Sequence, residues 1–410
     1  MGFETGFITA IYIILFFFGV YFLMIFIVMQ HRYRKVLFSY PNPRRYPTVS
    51  FIVPAYNEEK SISNTLEALL NLKYPKKNEI IVVNDGSKDK TAEIVKKFAE
   101  KHSEIFLLNK ENSGKANSLN YAIKKSGGEL IAVVDADSYP KKDALLKMVG
   151  YFDDKNVAAV TSRVLVKNKG NWLERFQVLD YSIIAWTRKL LDFVNSVYVT
   201  NGPLSVYRRE VVIKVGGFDP TNLTEDIEIT WNILSKGYNT RMSYSAIVYT
   251  TVPSDLKTWV KQRVRWNLGG LQTVKKYKKY MFKRREFGYF VIPYVGASFI
   301  FAIIGFLLVI RYSWVKGTYY TYSFYYSFFG YNLFKYLEFN FFLTLLLFFA
   351  LSFLVLAIHY YKLGFKNSET GNKSVLNILA YSFFYRSLYI IPLLIALYKI
   401  VRGDIKWYTK

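Results

Sequence analysis

Asp135 and Asp137 stand one residue apart after the apolar run 131–134, in the stretch IAVVDADSYP. Two like charges this close repel and desolvate badly, so the pair is costly at a strand end unless something positive faces it. At this spacing both carboxylates can face one hard cation, Mg2+ or Mn2+, which in turn bridges the oxygens of a diphosphate. An Asp-x-Asp pair alone occurs by chance. Its position at the tip of a third polar-ended strand gives it weight.

Two earlier apolar runs end in the same polar way. SFIVPA (50–55) leads into Tyr56-Asn57-Glu58, and EIIVV (79–83) into Asn84-Asp85-Gly86-Ser87. A carboxylate such as Asp85 in a tight turn can accept hydrogen bonds from a nucleobase or ribose, or it can cap the next helix. Lys115 sits at a glycine-led helix start, where its ammonium and the free backbone N–H groups both favour phosphate; the plain alternative is an exposed lysine. GGFDPTNLTEDIEITW (216–231) holds a second acidic cluster. Thr224 can cap a helix whose first turn carries Glu225 and Asp226. Acids there also stabilise a helix, and one of them can serve as a general base. In KTWVKQRVRWNLGG (257–270), Gln262, Arg265 and Trp266 share one helix face at i, i+3 and i+4. That face offers an amide, a guanidinium suited to a diphosphate and an indole platform for a sugar ring. A basic amphipathic helix at a membrane surface has the same pattern.

The elements that must position these residues follow a simple alternation. Apolar runs at 50–55, 79–87, 105–109 and 129–137 read as strands; segments 59–72, 90–102 and 114–126 have helical spacing. Strands alternating with helices of this length predict an α/β fold, a parallel sheet with crossover helices. Ligands of such sheets bind at the carboxyl ends of the strands, where the three polar tips lie.

The rest of the chain is apolar in blocks. Residues 7–30 and 289–310 are apolar runs of bilayer length, a third spans about 339–361 and a fourth lies within 376–401. The first is too long for a signal-peptide core and lacks a small-residue cleavage site, so it reads as a retained anchor. HRYRK (31–35) follows it and KKYKKYMFKRREF (275–287) precedes the second run. The positive-inside rule then places the N-terminus outside and the intervening domain in the cytoplasm of a multi-pass protein of the cell membrane. Residues 311–338 are dense in Tyr and Phe, as an interfacial aromatic belt or a sugar-stacking vestibule would be. Arg386, inside the fourth run, either lines a channel or ends an interface helix over 374–386, with the span starting at Ser387.

Composition excludes several classes. Cysteine is absent from the 410 residues, which rules out disulfides, thiol catalysis and Cys-zinc sites, and three histidines do not make a His-rich metal site. The net charge of +25 sits largely in the juxtamembrane clusters that meet anionic headgroups. No nucleic-acid motif accompanies it, and no nucleic-acid partner is expected.

VPAYNEE, VVNDGS, GKANSLN, DADS, TEDIEITW and QRVRW occur in that order, and together resemble the membrane-embedded family 2 glycosyltransferases of the processive type. These are the cellulose, chitin, hyaluronan and poly-N-acetylglucosamine synthases. TEDIEITW and KQRVRWNLGG look most like the last group, and NGPLSVYRREVV (201–212) resembles the hyaluronan synthase segment. The likeness covers about 48–275 and the membrane plan. It implies a GT-A type, Rossmann-like cytoplasmic domain (45–275) between an N-terminal anchor (1–35) and a C-terminal membrane region (285–410), with about four transmembrane helices. The segment 171–193 would be an amphipathic interface helix.

By the same resemblance, Tyr56, Glu58 and Asp85 surround the uridine, and Lys115 lies near the nucleotide. Asp135 and Asp137 hold UDP and the divalent cation, Asp137 as the direct ligand. Asp226 is the general base. Glu225 and Trp266 belong to the acceptor side, and Gln262 and Arg265 to the diphosphate. Asn84 stands where many relatives carry Asp. The implied reaction is inverting, metal-dependent transfer from a UDP-sugar, UDP-GlcNAc foremost, to a growing β-linked polysaccharide that leaves through the protein's own channel. Transfer of a single sugar to a lipid acceptor is the alternative, because Gln-x-x-Arg-Trp also occurs in some glycolipid synthases.

Overall fold

The computed structural model describes residues 2–76, 79–328, 377 and 380–403. The chain divides into two compact units, Met1–His31 with Tyr294–Ile390 and Arg32–Pro293 with Ile391–Lys410. In chain order the elements are α1 (Gly2–Tyr33), β1 (Val49–Ala55), α2 (Ile62–Leu70), β2 (Glu79–Asp85), α3 (Thr91–Lys101), β3 (Ile105–Lys110) and α4 (Lys115–Lys125). Next come β4 (Leu130–Val133), β5 (Ser138–Pro140), α5 (Leu146–Val149), β6 (Val157–Val166), α6 (Trp172–Asp192), β7 (Ser205–Arg208) and α7 (Arg209–Lys214). α8 (Glu225–Ser235), β8 (Asn239–Thr250), α9 (Leu256–Tyr277) and α10 (Ile292–Phe328) follow, and the helix Ile390–Arg402 is α11 here.

The alternation predicted from the sequence is present as β1-α2-β2-α3-β3-α4-β4, and these four strands are parallel. Their side chains alternate between two cores, as the period of a strand requires. Phe51 and Val53 of β1 and Val82 of β2 pack with Ile62, Leu66 and Val95 of α2 and α3. Ile52, Ile81 and Val83 point the other way, to Leu119 of α4 and Ile229 and Ile233 of α8. Pro54 lies inside β1, but pairing with β4 stops at Ile52, so the missing N–H faces no strand.

The whole sheet is mixed rather than parallel. Its order is β3-β2-β1-β4-β7-β6-β8-β5, with β7 antiparallel to β4 and β6, and β5 antiparallel to β8. The physical reason is the connection after β4. It leaves the strand at Val134, carries both acids, and turns into the short strand β5 at the far edge rather than into another crossover helix. Asp135 and Asp137 therefore sit just beyond β4, not within it.

The apolar blocks are helical where described. α1 runs unbroken for 32 residues. Among the described residues, Phe287–Leu308 is long and apolar enough to cross a membrane. α10 continues to Phe328, 37 residues in all, about 55 Å at the usual helical rise. The first part of the Tyr/Phe-rich stretch is thus a continuation of this helix. In the unit that holds them, Phe18 lies 5.4 Å from Phe301 and Phe22 lies 5.2 Å from Tyr294 between ring centroids. The third apolar run lies outside the described residues. Among the described residues of the fourth, Tyr381–Tyr385 is a π turn, Arg386–Tyr389 a 3-10 turn, and Ile390–Arg402 an α-helix. α11 begins beyond Ser387, after the irregular stretch that holds Arg386. In the second unit, Ala396 of α11 packs with Leu223 and with Val264 and Leu268 of α9.

Candidate active site

The polar strand tips are tied to one another by their own side chains. Asn57 holds a left-handed backbone (φ 55°) and its Oδ1 accepts from the Lys88 amide, while its own amide donates to Ser87 Oγ. Glu58 accepts from Ser61 Oγ at 2.6 Å, and its amide donates to Thr91 Oγ1. Tyr56 is half-buried beside them. Asn84 donates to Asn109 Oδ1 at 2.9 Å and accepts from the Ser87 amide, so an amide at this position links β2, β3 and the turn.

Asp85 is 4% exposed and does not cap α3. Its Oδ1 accepts from the Ser113 amide (3.0 Å) and from Lys110 Nζ, and its Oδ2 from the Gly114 amide (2.8 Å). It thereby shapes the turn at 110–114 from which α4 starts; Gly114, at φ 91°, supplies a conformation that side chains resist. Any ligand contact of Asp85 would add to these three bonds.

Lys115, first residue of α4, joins the two acidic clusters. Its Nζ lies 2.7 Å from Asp135 Oδ1 and 2.7 Å from Glu225 Oε1. Burial alone would lower its pKa, but Asp135, Glu225 and Asp226 together raise it above the usual lysine range. Gly202 closes the same spot: a Cβ there would fall 2.7 Å from Lys115 Nζ and 2.7 Å from Asp135 Oδ2.

Glu225 and Asp226 open α8, where unpaired N–H groups favour negative charge. Thr224 occupies the N-cap position without capping; its hydroxyl donates to Asn222 Oδ1 at 3.2 Å. Gly269 of α9 packs against it so closely that a Cβ there would lie 2.2 Å from Thr224 Oγ1. Burial pushes the Asp226 carboxyl up to about 6, with help from the Glu225 carboxylate and against Lys115 and Arg265. Burial would raise Glu225 as well, but Lys115 and Arg265 hold it below the ordinary range. Two adjacent acids are driven apart, one kept ionised and one left basic, an arrangement found where proton transfer is needed. Arg265 donates to the Leu223 carbonyl at 3.4 Å, on the approach to α8.

Residues 50–216 match the family model described as glycosyl transferase family 2. A curated relative from Staphylococcus aureus (strain COL), described as poly-beta-1,6-N-acetyl-D-glucosamine synthase, is 36% identical over 224 residues, 54% of this chain and 54% of the relative. One of the same description from Staphylococcus epidermidis is 29% identical over 312 residues, 74% and 76% of the two chains. The chain thus spans about half the length of the first. The solved mannosyltransferase PcManGT from Pyrobaculum calidifontis, in complex with GDP-Man and Mn2+, is similar in fold, GT-A-like, with a TM-score of 0.59 and 22% identity over 95% of this chain and 97% of that one.

The family 2 match ends before α8 and α9, so the residues there enter through geometry. Gln262 accepts from Arg263 Nη1 at 2.8 Å. Trp266 lies under the Arg263 guanidinium, 3.9 Å from its ring centroid. Arg263 is 1% exposed and paired with Asp180 of α6 at 3.3 Å. It is a residue the sequence reading passed over, since helical spacing put it off the face of Gln262, Arg265 and Trp266. Its long side chain reaches back to two of them.

The loop between α6 and β7 was also passed over, apart from its resemblance. Its consecutive residues touch three different elements. Thr200 Oγ1 donates to the Asp226 carbonyl (3.4 Å), Asn201 Oδ1 accepts from Arg188 Nη1 of α6, and Gly202 abuts Lys115 and Asp135. The only sequence signal was NGPLS as a small-residue turn before an apolar run.

Two hard carboxylates at Asp135 and Asp137, with Gly202 in place of a side chain beside Asp135, fit a divalent cation that meets a diphosphate. Among the described residues no group of three or more acids and histidines converges. A cation here would draw its remaining ligands from phosphate oxygens and water.

Proposed function

We propose that the chain is an inverting, metal-dependent glycosyltransferase that moves GlcNAc from UDP-GlcNAc to the end of a growing β-linked polysaccharide. The observation that carries this reading is Lys115, whose one ammonium joins Asp135 on the donor rim to Glu225, the neighbour of Asp226. Donor carboxylate and base are thereby held within one side chain's reach. The description of the Staphylococcus relatives supports GlcNAc as the sugar and a polymer as the product.

Asp226, basic at about 6, is ionised at neutral pH and takes the proton of the acceptor hydroxyl as that oxygen attacks the anomeric carbon. Arg265 faces the departing diphosphate and stabilises its charge. Glu225 is held as a carboxylate by Lys115 and does not compete for the proton. With no second nucleophile, a single displacement turns an α-linked donor into a β-linkage. Asp137 and Asp135 would hold Mg2+ or Mn2+, which when bound offsets negative charge on the diphosphate. Trp266, fixed by Arg263, offers its ring to the acceptor sugar.

In this reading the runs at 7–30 and 289–310 cross the cell membrane, the basic flanks keep the catalytic domain cytoplasmic, and the product leaves through the membrane region. The test is transfer by the full chain in lipid, with Mg2+ or Mn2+ and radiolabelled UDP-GlcNAc beside UDP-Glc, followed by sizing of the product. A long, β-glycosidase-sensitive polymer lost in Asp226→Asn and on chelation supports it. A single sugar that partitions with lipid replaces the polymer by a lipid acceptor. A product from UDP-Glc alone overturns the GlcNAc assignment.

A further inference from the structure

α9 lies along the segment that leads into α8 and meets it with one face, at 265, 269, 272, 273 and 276. Arg265 donates to the Leu223 carbonyl, Gln272 Oε1 accepts from the Leu223 amide at 3.1 Å, and Asn222 donates to Thr273 Oγ1 at 3.0 Å. These contacts stop short of Glu225 and Asp226. Past the two acids, the end of α9 takes hold of α8 through Glu228.

Glu228 is 0% exposed. Its Oε1 accepts from the Tyr277 hydroxyl at 2.7 Å and from Lys276 Nζ. The Lys276 ammonium also reaches Asp219 at 2.7 Å, so it ties the loop before α8 to the helix. Tyr277 is held twice, by its hydroxyl at Glu228 and by its ring against Trp231, 6.0 Å between centroids. Glu228 and Trp231 are three residues apart and share a face of α8. Phe287 packs on that face, 5.4 Å from the Trp231 ring.

An acid in the first turn of a helix can favour it from the surface. Glu228 is in the first turn of α8 but buried, and its Oε2 has no hydrogen-bond partner among the described residues. A buried carboxylate in this state costs stability that a well-packed apolar residue would not. What it supplies instead is direction, because two donors on one oxygen define one rotation of the helix about its axis. Asp226 lies two residues before Glu228, about 200° round the helix. With Glu228 turned into the contact with α9, Asp226 comes to the other side of α8, where it is half-buried.

We propose that Glu228, gripped by Lys276 and Tyr277, is a positioning residue for the base: it sets the rotation of α8 that presents Asp226 to the acceptor hydroxyl. This rests on the reading of Asp226 as the base.

The test is initial-rate kinetics on the full chain in lipid, with the sugar nucleotide that the wild type uses. Tyr277→Phe removes the hydroxyl and keeps the ring on Trp231 and Phe287. Lys276→Met removes the ammonium from an exposed position. Each is expected to lower kcat by about tenfold, as a small misplacement of a reacting group does, while the donor KM holds within about twofold. Glu228→Gln, which still accepts from Tyr277, should keep more activity than Glu228→Leu. In a Glu228→Leu chain, Tyr277→Phe should cost nothing further, because the hydroxyl then has nothing to hold. Unchanged kcat in both Tyr277→Phe and Lys276→Met overturns the positioning role. So does a loss from Tyr277→Phe that is as large in the Glu228→Leu chain as in the wild type, or a rise in donor KM that accounts for the whole effect. If Glu228→Leu lowers the Tm by more than about 5 °C, the kcat and KM of Tyr277→Phe and Lys276→Met decide. Asp226→Asn is the control. If it retains full activity, the base assignment and the positioning role fall together. If it is inactive while Tyr277→Phe and Lys276→Met run at full rate, the positioning role alone falls.

Discussion

Asp85, on the rim proposed to bind the donor, accepts three hydrogen bonds from the turn at 110–114. Asp226 on the acceptor side accepts one from a neighbouring amide, that of Ile227 at 2.9 Å. Asp85 is buried and Asp226 half-buried; the first is saturated and holds a loop, whereas the second has few donors of its own and is pushed up to about 6. The contrast teaches how to tell a structural acid from one suited to move a proton: count the donors that its own fold supplies. The two sides also differ in construction. The donor rim is made of successive βα steps, each ending in its own polar tip. The proposed acceptor side is made of pieces far apart in the chain, Lys115 with Glu225 and Asp180 with Arg263.

The comparison breaks first at Asp226. Asp226→Asn should lower kcat by about a thousandfold, within the range for a lost general base, with UDP-GlcNAc binding retained by calorimetry. If kcat falls less than about tenfold, the acid that moves the proton lies elsewhere. Lys115→Met should cost about a hundredfold in kcat/KM, because it leaves Asp135 and Glu225 partly buried with no shared cation. Steady-state kinetics in both substrates should show the loss on each, since the lysine touches both sides. A loss confined to the donor KM would mean that the two sides are not coupled. Gly202→Ala should cost about tenfold in kcat/KM by wedging a methyl between Lys115 and Asp135, with the Tm unchanged within a few degrees.

The pH profile sharpens the contrast further. Asp226 must be ionised to act, so kcat/KM should fall about tenfold per pH unit below about pH 6. Glu225, Lys115, Arg265 and Arg188 are the charged groups that set this limb, and removing one of the cations should move it upward. The stability effect is smaller and opposite in sense. Because the folded carboxyl lies above its ordinary 3.8, ionising it costs stability as pH rises through about 6. Asp226→Asn should therefore be more stable than the wild type at pH 7, by about 1–2 kcal/mol. That difference should vanish near pH 4, as thermal denaturation at both pH values would show.

The periods of the first half are legible because each strand and helix declares its buried face within a few residues. The spacing of apolar residues in 50–55, 79–87 and 105–109 is the register that β1, β2 and β3 adopt. The mixed half of the sheet was not legible, since nothing local in ALLKMV or SVYR tells whether the next strand runs up or down. The break at Tyr381–Tyr389 was hidden for a similar reason, because an apolar run has no phase from which to read an interruption.

Taken alone, the sequence determined the order of strands and helices in the donor half, the placing of Asp85, Asp135 and Asp137 at one rim, and the apolar length of 7–30 and 289–310. It also put Glu225 and Asp226 in the first turn of a helix and set Gln262, Arg265 and Trp266 on one face. Only the tertiary structure decided that Lys115 bridges Asp135 and Glu225, that Gly202 and Gly269 must lack side chains, that Arg263 holds Trp266, and that Arg188 bonds Asn201. Periodicity acts over one turn or two residues, and a chain carries it from place to place. A salt bridge between α4 and α8 depends on the packing of everything between them, which no short stretch encodes.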